Sequence, residues 1–183
     1  MRTDVIVIEN NQEGREKALN AIEGMADVSG LSKKNSLYLR LLSEEALGLI
    51  YALAGQYKAY FWGEQDRDEY SILVEVVIKD GTAHKLEKVA TVSEVEKENG
   101  IMGKIRLIYR NLLLTGSLIE GRGLRPDKIW SLKTYRDSIE KSDERADEAR
   151  GELERSVVSR LADDVTVSVM GDKARMVIYK KFA

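Results

Sequence analysis

The stretch Leu37–Ala54, LYLRLLSEEALGLIYALA, decides how the rest of the chain is read. Leu39, Leu42, Ala46, Leu49, Ile50 and Leu53 recur at steps of three and four residues, so they line one side of a helix. Two adjacent carboxylates, Glu44 and Glu45, stand within this apolar pattern. A helix turns about 100° per residue, so the two cannot point the same way. One is expected in solvent and the other at the border of the buried stripe, where a carboxylate needs a reason to be. A surface residue beside a core helix is the plain reading of such a glutamate, and acid–base chemistry is the functional one.

Composition narrows the classes of function. A chain of 183 residues fits one domain, or one domain with an appendage, and can bury a sizeable core. Its 29 Lys and Arg against 31 Asp and Glu leave a net charge of -2, which argues against broad phosphate or nucleic-acid binding. The absence of cysteine excludes disulfides, thiolate metal sites and cysteine catalysis, and it fits a reducing compartment. The opening MRTDVIVIEN has no basic-then-apolar signal pattern, and no run reaches the length of a membrane helix. The expectation is a cytoplasmic protein with no membrane partner.

Outward from the central helix, the punctuation is clear. Asp4–Glu9 (DVIVIE) reads as a strand, Asn10, Asn11 and Gly14 as a turn, and Arg15–Asp27 as an amphipathic helix carrying Ala18, Ile22 and Met25. Ser29 and Gly30 end that helix, and Ser32 or Ser36 is the N-cap of the next. After Gly55, the aromatic strand Tyr57–Glu64, the turn Asp66–Glu69 and the strand Ser71–Lys79 form a hairpin. Asp80-Gly81 is either the end of that strand or a hairpin turn into a return strand over Thr82–Thr91. Ser93 and Glu96 make a capping box, and Ile101, Ile105, Ile108 and Leu112 an apolar face behind it. Ile129, Trp130 and Tyr135 are expected to cover a core edge. The charged run Ser142–Arg155 reads as the solvated half of a helix whose second half packs through Leu153, Val157 and Leu161. Asp164–Met170 and Ala174–Phe182 close the chain as a hairpin around Gly171-Asp172. Hairpins with helices between them predict an α+β fold, a two-layer sandwich of a mixed or antiparallel sheet with helices on one face.

This order of elements, with LLSEEALGLIYAL, SILVEVVIKDGT and ARGELERSVVSRLADDVTVSV followed by GDKARMVIYKKF, resembles the histidine-kinase-type ATPase fold known as GHKL. The likeness is greatest to its small anti-sigma serine kinase branch. There a strand and a helix lead into a helix carrying E-x-x-x-N. A hairpin ending in D-x-G-x-G, a lid, a Gly-rich turn opening the last helix and a closing hairpin follow. The resemblance implies a single domain over residues 1–183, with 83–141 as a lid-region insertion. NGIMGKIRLIYRNLL also resembles the Gly-rich turn and helix, but it does not lead directly into the closing hairpin.

The departures from the family pattern bear on function. The resemblance implies a catalytic role for Glu45 and adenine or phosphate contacts for Asp80, Gly81 and Gly151. The asparagine that would hold magnesium falls on Leu49, or on Gly48 if Glu44 is the matched residue. Neither offers an oxygen to a hard cation, so no metal is expected. Thr82-Ala83 replaces the rest of D-x-G-x-G, and Gly151 stands alone among Glu and Arg. The resulting expectation is a non-catalytic regulatory module that binds a protein partner as anti-sigma factors do, with no cofactor, and a homodimer by resemblance. The alternative is an ATP-binding protein or serine kinase with an altered nucleotide site. A different α+β fold with an unrelated role is the third.

Other constellations are poor. His84 is the sole histidine, which leaves no multi-histidine metal site and a weak basis for a triad. Ser71, Ser93 and Ser117 lack a nucleophile-elbow context. Tyr60 and Trp62 are read as packing residues before ligand-stacking ones. Asp163-Asp164 and Asp143-Glu144 are read as a helix end and a helix start. Arg122, Arg125, Lys128 and Lys133 make a modest basic loop cluster that reads as solvated, with an acidic partner as the functional alternative.

Overall fold

Two periodicities, one of two residues and one of 3.6, sort this chain into a sheet and a helical layer. A computed structural model of the chain describes residues 1–8, 12–53, 58–77, 103, 105, 130–140, 151, 153–154, 156–170 and 173–182. The elements run β1 (Ile6–Ile8), α1 (Gln12–Val28), α2 (Lys33–Leu53), β2 (Lys58–Asp66), β3 (Glu69–Val77), β4 (Trp130–Ser131), α3 (Leu132–Glu140), α4 (Val157–Leu161), β5 (Asp164–Met170) and β6 (Lys173–Lys181). The strands form one sheet in the order β1-β2-β3-β6-β5-β4. Every neighbouring pair is antiparallel, so of the two sheet types expected from sequence the antiparallel one occurs. The protein is α+β, with the helices packed against the sheet as a two-layer sandwich.

Register explains why. Ile6, Phe61, Val74, Met176 and Val167 lie opposite one another across five strands, with Ala59, Val76 and Ala174 in the next row on the same face. These side chains join the main core together with Ala18, Ile22 and Met25 of α1, Leu39, Leu42, Ala46, Leu49 and Ile50 of α2, Leu132 of α3 and Val158 of α4. The helical stripe from Leu39 to Ile50 is thus the seam between helix and sheet. Gly63 permits the closest approach of α1. A Cβ there would lie 2.5 Å from Ile22 Cδ1 and 2.9 Å from Met25 Cε, both inside the core.

The caps fall where the sequence places them. Gly30 takes φ +69, its N–H donates to the Asp27 carbonyl at 3.0 Å, and the Leu31 N–H donates to the Ala26 carbonyl at 3.0 Å. That is the paired bonding of a Schellman ending, and Leu31 packs on the core beside it. Of the two candidate N-caps, Ser32 is the one used: its Oγ accepts from Asn35 N–H at 3.3 Å. In the β2–β3 hairpin the turn is the tight pair Arg67-Asp68, with Arg67 at φ 56.

The C-terminal half departs from expectation in two ways. The helix read through Ser142–Leu161 does not run on unbroken, because Ser156 is extended (φ -80, ψ 124) and caps the short α4 by accepting from Ser159 N–H. The packing side chain is then Val158, fully buried, with Leu153 and Leu161 against the core, while Val157 is exposed. The second departure is α3, which sequence did not anticipate. Its start is held by tertiary contacts: Ser131 Oγ accepts from Thr134 N–H, and Asp164 Oδ1 accepts from Lys133 N–H at 3.0 Å and from Ser131 Oγ at 3.0 Å. Trp130 and Tyr135 do cover a core edge, with ring centroids 6.1 Å apart. Thr82–Thr91, the Ser93–Glu96 box and most of the 83–141 region lie outside the described residues. Ile105, from the apolar face behind that box, is buried in the main core.

Candidate functional site

The helix that carries Glu44 and Glu45 separates their surroundings as its geometry demands. Glu44 turns toward α1, where Arg40 Nε meets it at 3.2 Å and also pairs with Glu23. Glu45 lies on the other side of Glu44, half-buried, and has no hydrogen bond or ion pair among the described residues. Burial raises the Glu45 carboxyl above its ordinary value, and the neighbouring Glu44 charge adds to the rise. One turn further on, Leu49 is 1% exposed in the main core. The position that the resemblance matches to the magnesium-binding asparagine is therefore packed hydrocarbon. Gly48 is half-buried with nothing within 4 Å of a notional Cβ.

The other residues singled out from sequence are not brought together with Glu45 in the described structure. Asp80, Gly81 and His84 lie outside the described residues, as do Ser93, Ser117, Arg122, Arg125 and Lys128. Gly151 is helical and half-buried. Lys133 is exposed in the first turn of α3, its N–H bound to Asp164. Asp163 and Asp164 do follow the end of α4. Asp163 accepts from Lys181 N–H at 2.5 Å and Lys180 Nζ at 3.0 Å, so this pair ties the strand start to β6. Among the described residues no group of three potential metal ligands converges, and no helix is long and apolar enough to cross a membrane.

The strongest polar arrangement is one that sequence reading missed. It lies on the sheet face opposite α1 and α2, around the small cluster Trp62, Leu73 and Val177 with Tyr60 against it. Glu75 and Arg175 are direct cross-strand partners on β3 and β6. Arg175 Nη2 and Nε donate to Glu75 Oε2 at 2.6 and 3.2 Å, and Lys173 Nζ donates to Oε1 at 2.9 Å. Burial alone would raise the Glu75 carboxyl, but the Arg175 and Lys173 hydrogen bonds and charges outweigh it and hold the group below the ordinary carboxylate value. Arg175 also lies 5.7 Å from the Trp62 ring centroid, and Arg2 lies 5.1 Å from it. Trp62 Nε1 donates to Glu64 at 2.8 Å, and Glu64 pairs with Arg2 at 3.5 Å. With two guanidinium groups against its ring and 5% exposure, Trp62 is a packing residue and offers no stacking platform. The available signal was alternation: V-E-V on β3 and K-A-R-M on β6 put these charges on one face once the strands are registered.

Two cavities adjoin the N-terminal segment. One, of about 1060 Å³, lies at the hairpin end of the sheet between Arg2, Glu64, Ser71, Asp163 and Tyr179. The other, of about 660 Å³, lies between the first residues and α1. Neither is lined by α2, so neither touches Glu45. No protein-family model matches the chain, and no curated protein matches it.

Proposed function

We infer that this chain is a non-catalytic regulatory module, on a scaffold resembling the histidine-kinase-type ATPases, that acts by binding a protein partner as anti-sigma factors do. The observation that carries this reading is Leu49, 1% exposed, at the position where the family pattern needs an oxygen ligand for magnesium. The order strand, helix, helix, hairpin, closing helix and closing hairpin supports the scaffold. Gly48, the alternative matched position, has no side chain to offer an oxygen either. The competing reading, an ATP-binding protein or serine kinase with an altered site, draws support from Glu45, whose raised carboxyl suits a general base.

Nucleotide separates the two. A ligand at 100 times its dissociation constant adds about 2.7 kcal/mol of stability. Thermal unfolding with and without millimolar magnesium-ATP is expected to give the same midpoint, and a clear upward shift would overturn the non-catalytic reading. Glu45→Gln is expected to leave partner binding unchanged, because the side chain borders the core and makes no hydrogen bond or ion pair among the described residues.

A further inference from the structure

Two short helices flank the junction that leads into β5, and each helps to cap the other. Isolated helices shorter than about 12 residues are marginal in water, so the nine residues of α3 and the five of α4 need outside support. Arg136, half-buried on α3, supplies it to α4. Its Nη2 donates to the Ser159 carbonyl and, at 3.3 Å, to that of Ala162, while its Nη1 donates to the Asp163 carbonyl at 3.2 Å. One guanidinium thus covers carbonyls that a helix C-terminus leaves open, at the negative end of the helix dipole. The support is returned by Asp164, two residues past the α4 C-cap Ala162. Its carboxylate accepts from the Ser131 hydroxyl and the Lys133 N–H, both at 3.0 Å, where α3 begins. Each helix has an N-cap of its own besides, Ser131 for α3 and Ser156 for α4.

We propose that α3 and α4 form one clasp: joined through Arg136 and Asp164, they open and close together while the rest of the sheet stays formed. The distribution of contacts supports a separate unit. The chain entering α3 joins the sheet through two pairs, Trp130 with Val167 and Ser131 with Thr166. By contrast, β5 and β6 share seven pairs and β3 and β6 share nine. The sheet is therefore bound far more firmly to itself than to the clasp, and the clasp is the part that can leave first. Its apolar contacts are shared in the same way. Leu132 of α3 and Val158 of α4 are both fully buried in the main core, and Trp130 and Tyr135 cover its edge. Opening the clasp lifts Leu132 and Val158 out together and uncovers that edge. The clasp is a conformational device of the fold and does not depend on the functional reading above.

Amide hydrogen exchange of the full chain tests it. In the unsubstituted chain, the α3 amides 136–140 and the α4 amides of Arg160 and Ala162 are expected to share one dependence on dilute urea, shallower than that of the β3–β6 ladder. Ser156→Ala removes a hydroxyl that caps α4, where it accepts from Ser159 N–H. It is nevertheless expected to speed exchange about fivefold in both helices. Arg136→Gln, a change on α3, is expected to speed Arg160 and Ala162 by at least as much. The amides of β2 and β3 should keep their rates in both variants, which separates opening of the clasp from unfolding of the domain. Unequal urea dependences in the two helices, acceleration confined to α4 in Ser156→Ala, or α4 amides indifferent to Arg136→Gln would each overturn the proposal. Acceleration that spreads equally to β2 and β3 would overturn it as well.

Discussion

Glu45 on α2 and Glu75 on β3 are both carboxylates set among apolar neighbours, and their surroundings are opposite. Glu45 has no partner among the described residues, and burial raises its carboxyl. Glu75 is more deeply buried, at 7% exposure, yet two cations hold its carboxyl below the ordinary value. A helix border places one carboxylate beside hydrocarbon and leaves it there. A sheet lays residues from strands distant in sequence directly opposite one another, so Glu75 meets Arg175 across the β3–β6 ladder. The residue that stands out in sequence is the chemically isolated one, and the anchored one stands in the middle of a valine-rich strand.

That contrast can be broken experimentally, most strongly at Glu75. Glu75→Ala leaves Arg175 and Lys173 without their shared acceptor, and we expect a loss of about 2 kcal/mol in urea unfolding at neutral pH. Because the folded value is lowered, the Glu75 contribution is present above the unfolded carboxylate range and is lost as pH falls through the folded value. The gap between wild type and Glu75→Ala should therefore close in acid, and a gap that is constant with pH would refute the ion-pair account. Arg175→Lys keeps the charge but loses the planar fork and the contact with Trp62. Its expected cost is about 1 kcal/mol, visible as a lowered urea midpoint.

On the helical layer the expected effects are smaller. Glu44→Gln removes a partly exposed pair with Arg40 and should cost about 0.5 kcal/mol or less, diminishing with added salt. Glu45→Gln should act with the opposite sign, stabilising by a few tenths of a kcal/mol at most, since solvent still reaches the carboxylate. A raised folded value means that ionised Glu45 weakens the fold, so stability is lost as pH rises through the carboxylate range. The Gln variant should escape that loss. Equal melting curves for wild type and variant in acid, separating at neutral pH, would be the signature, and a destabilised variant at neutral pH would show that Glu45 has an acceptor role.

Much of the scaffold is legible before any coordinates. The stripe from Leu39 to Ile50, the Gly30 ending, the Ser32 cap and both hairpins follow from local pattern, because each depends on residues within a few positions of one another. Element ends shift by a few residues, as with β1, read as Asp4–Glu9 and found over Ile6–Ile8. What failed locally failed for a stated cause. Ser156 can continue a helix or cap one, and only the Ser159 N–H placed over its Oγ shows that it caps. The start of α3 depends on Asp164, far along the chain, and no local signal announces it.

The sequence by itself determined the class of fold, since side-chain type and periodicity are local properties. It also settled that Glu44 and Glu45 diverge, because the helical angle allows nothing else. Only the tertiary structure decided that Arg2 and Arg175 both lie against Trp62, and that Glu75 is held by β6. Those outcomes depend on strand order and register, which join residues about one hundred positions apart. Val5 and Val7 belong to the same category: both stand in a β-branched run in the sequence, and among the described residues both are exposed, while Ile6 between them packs on the core.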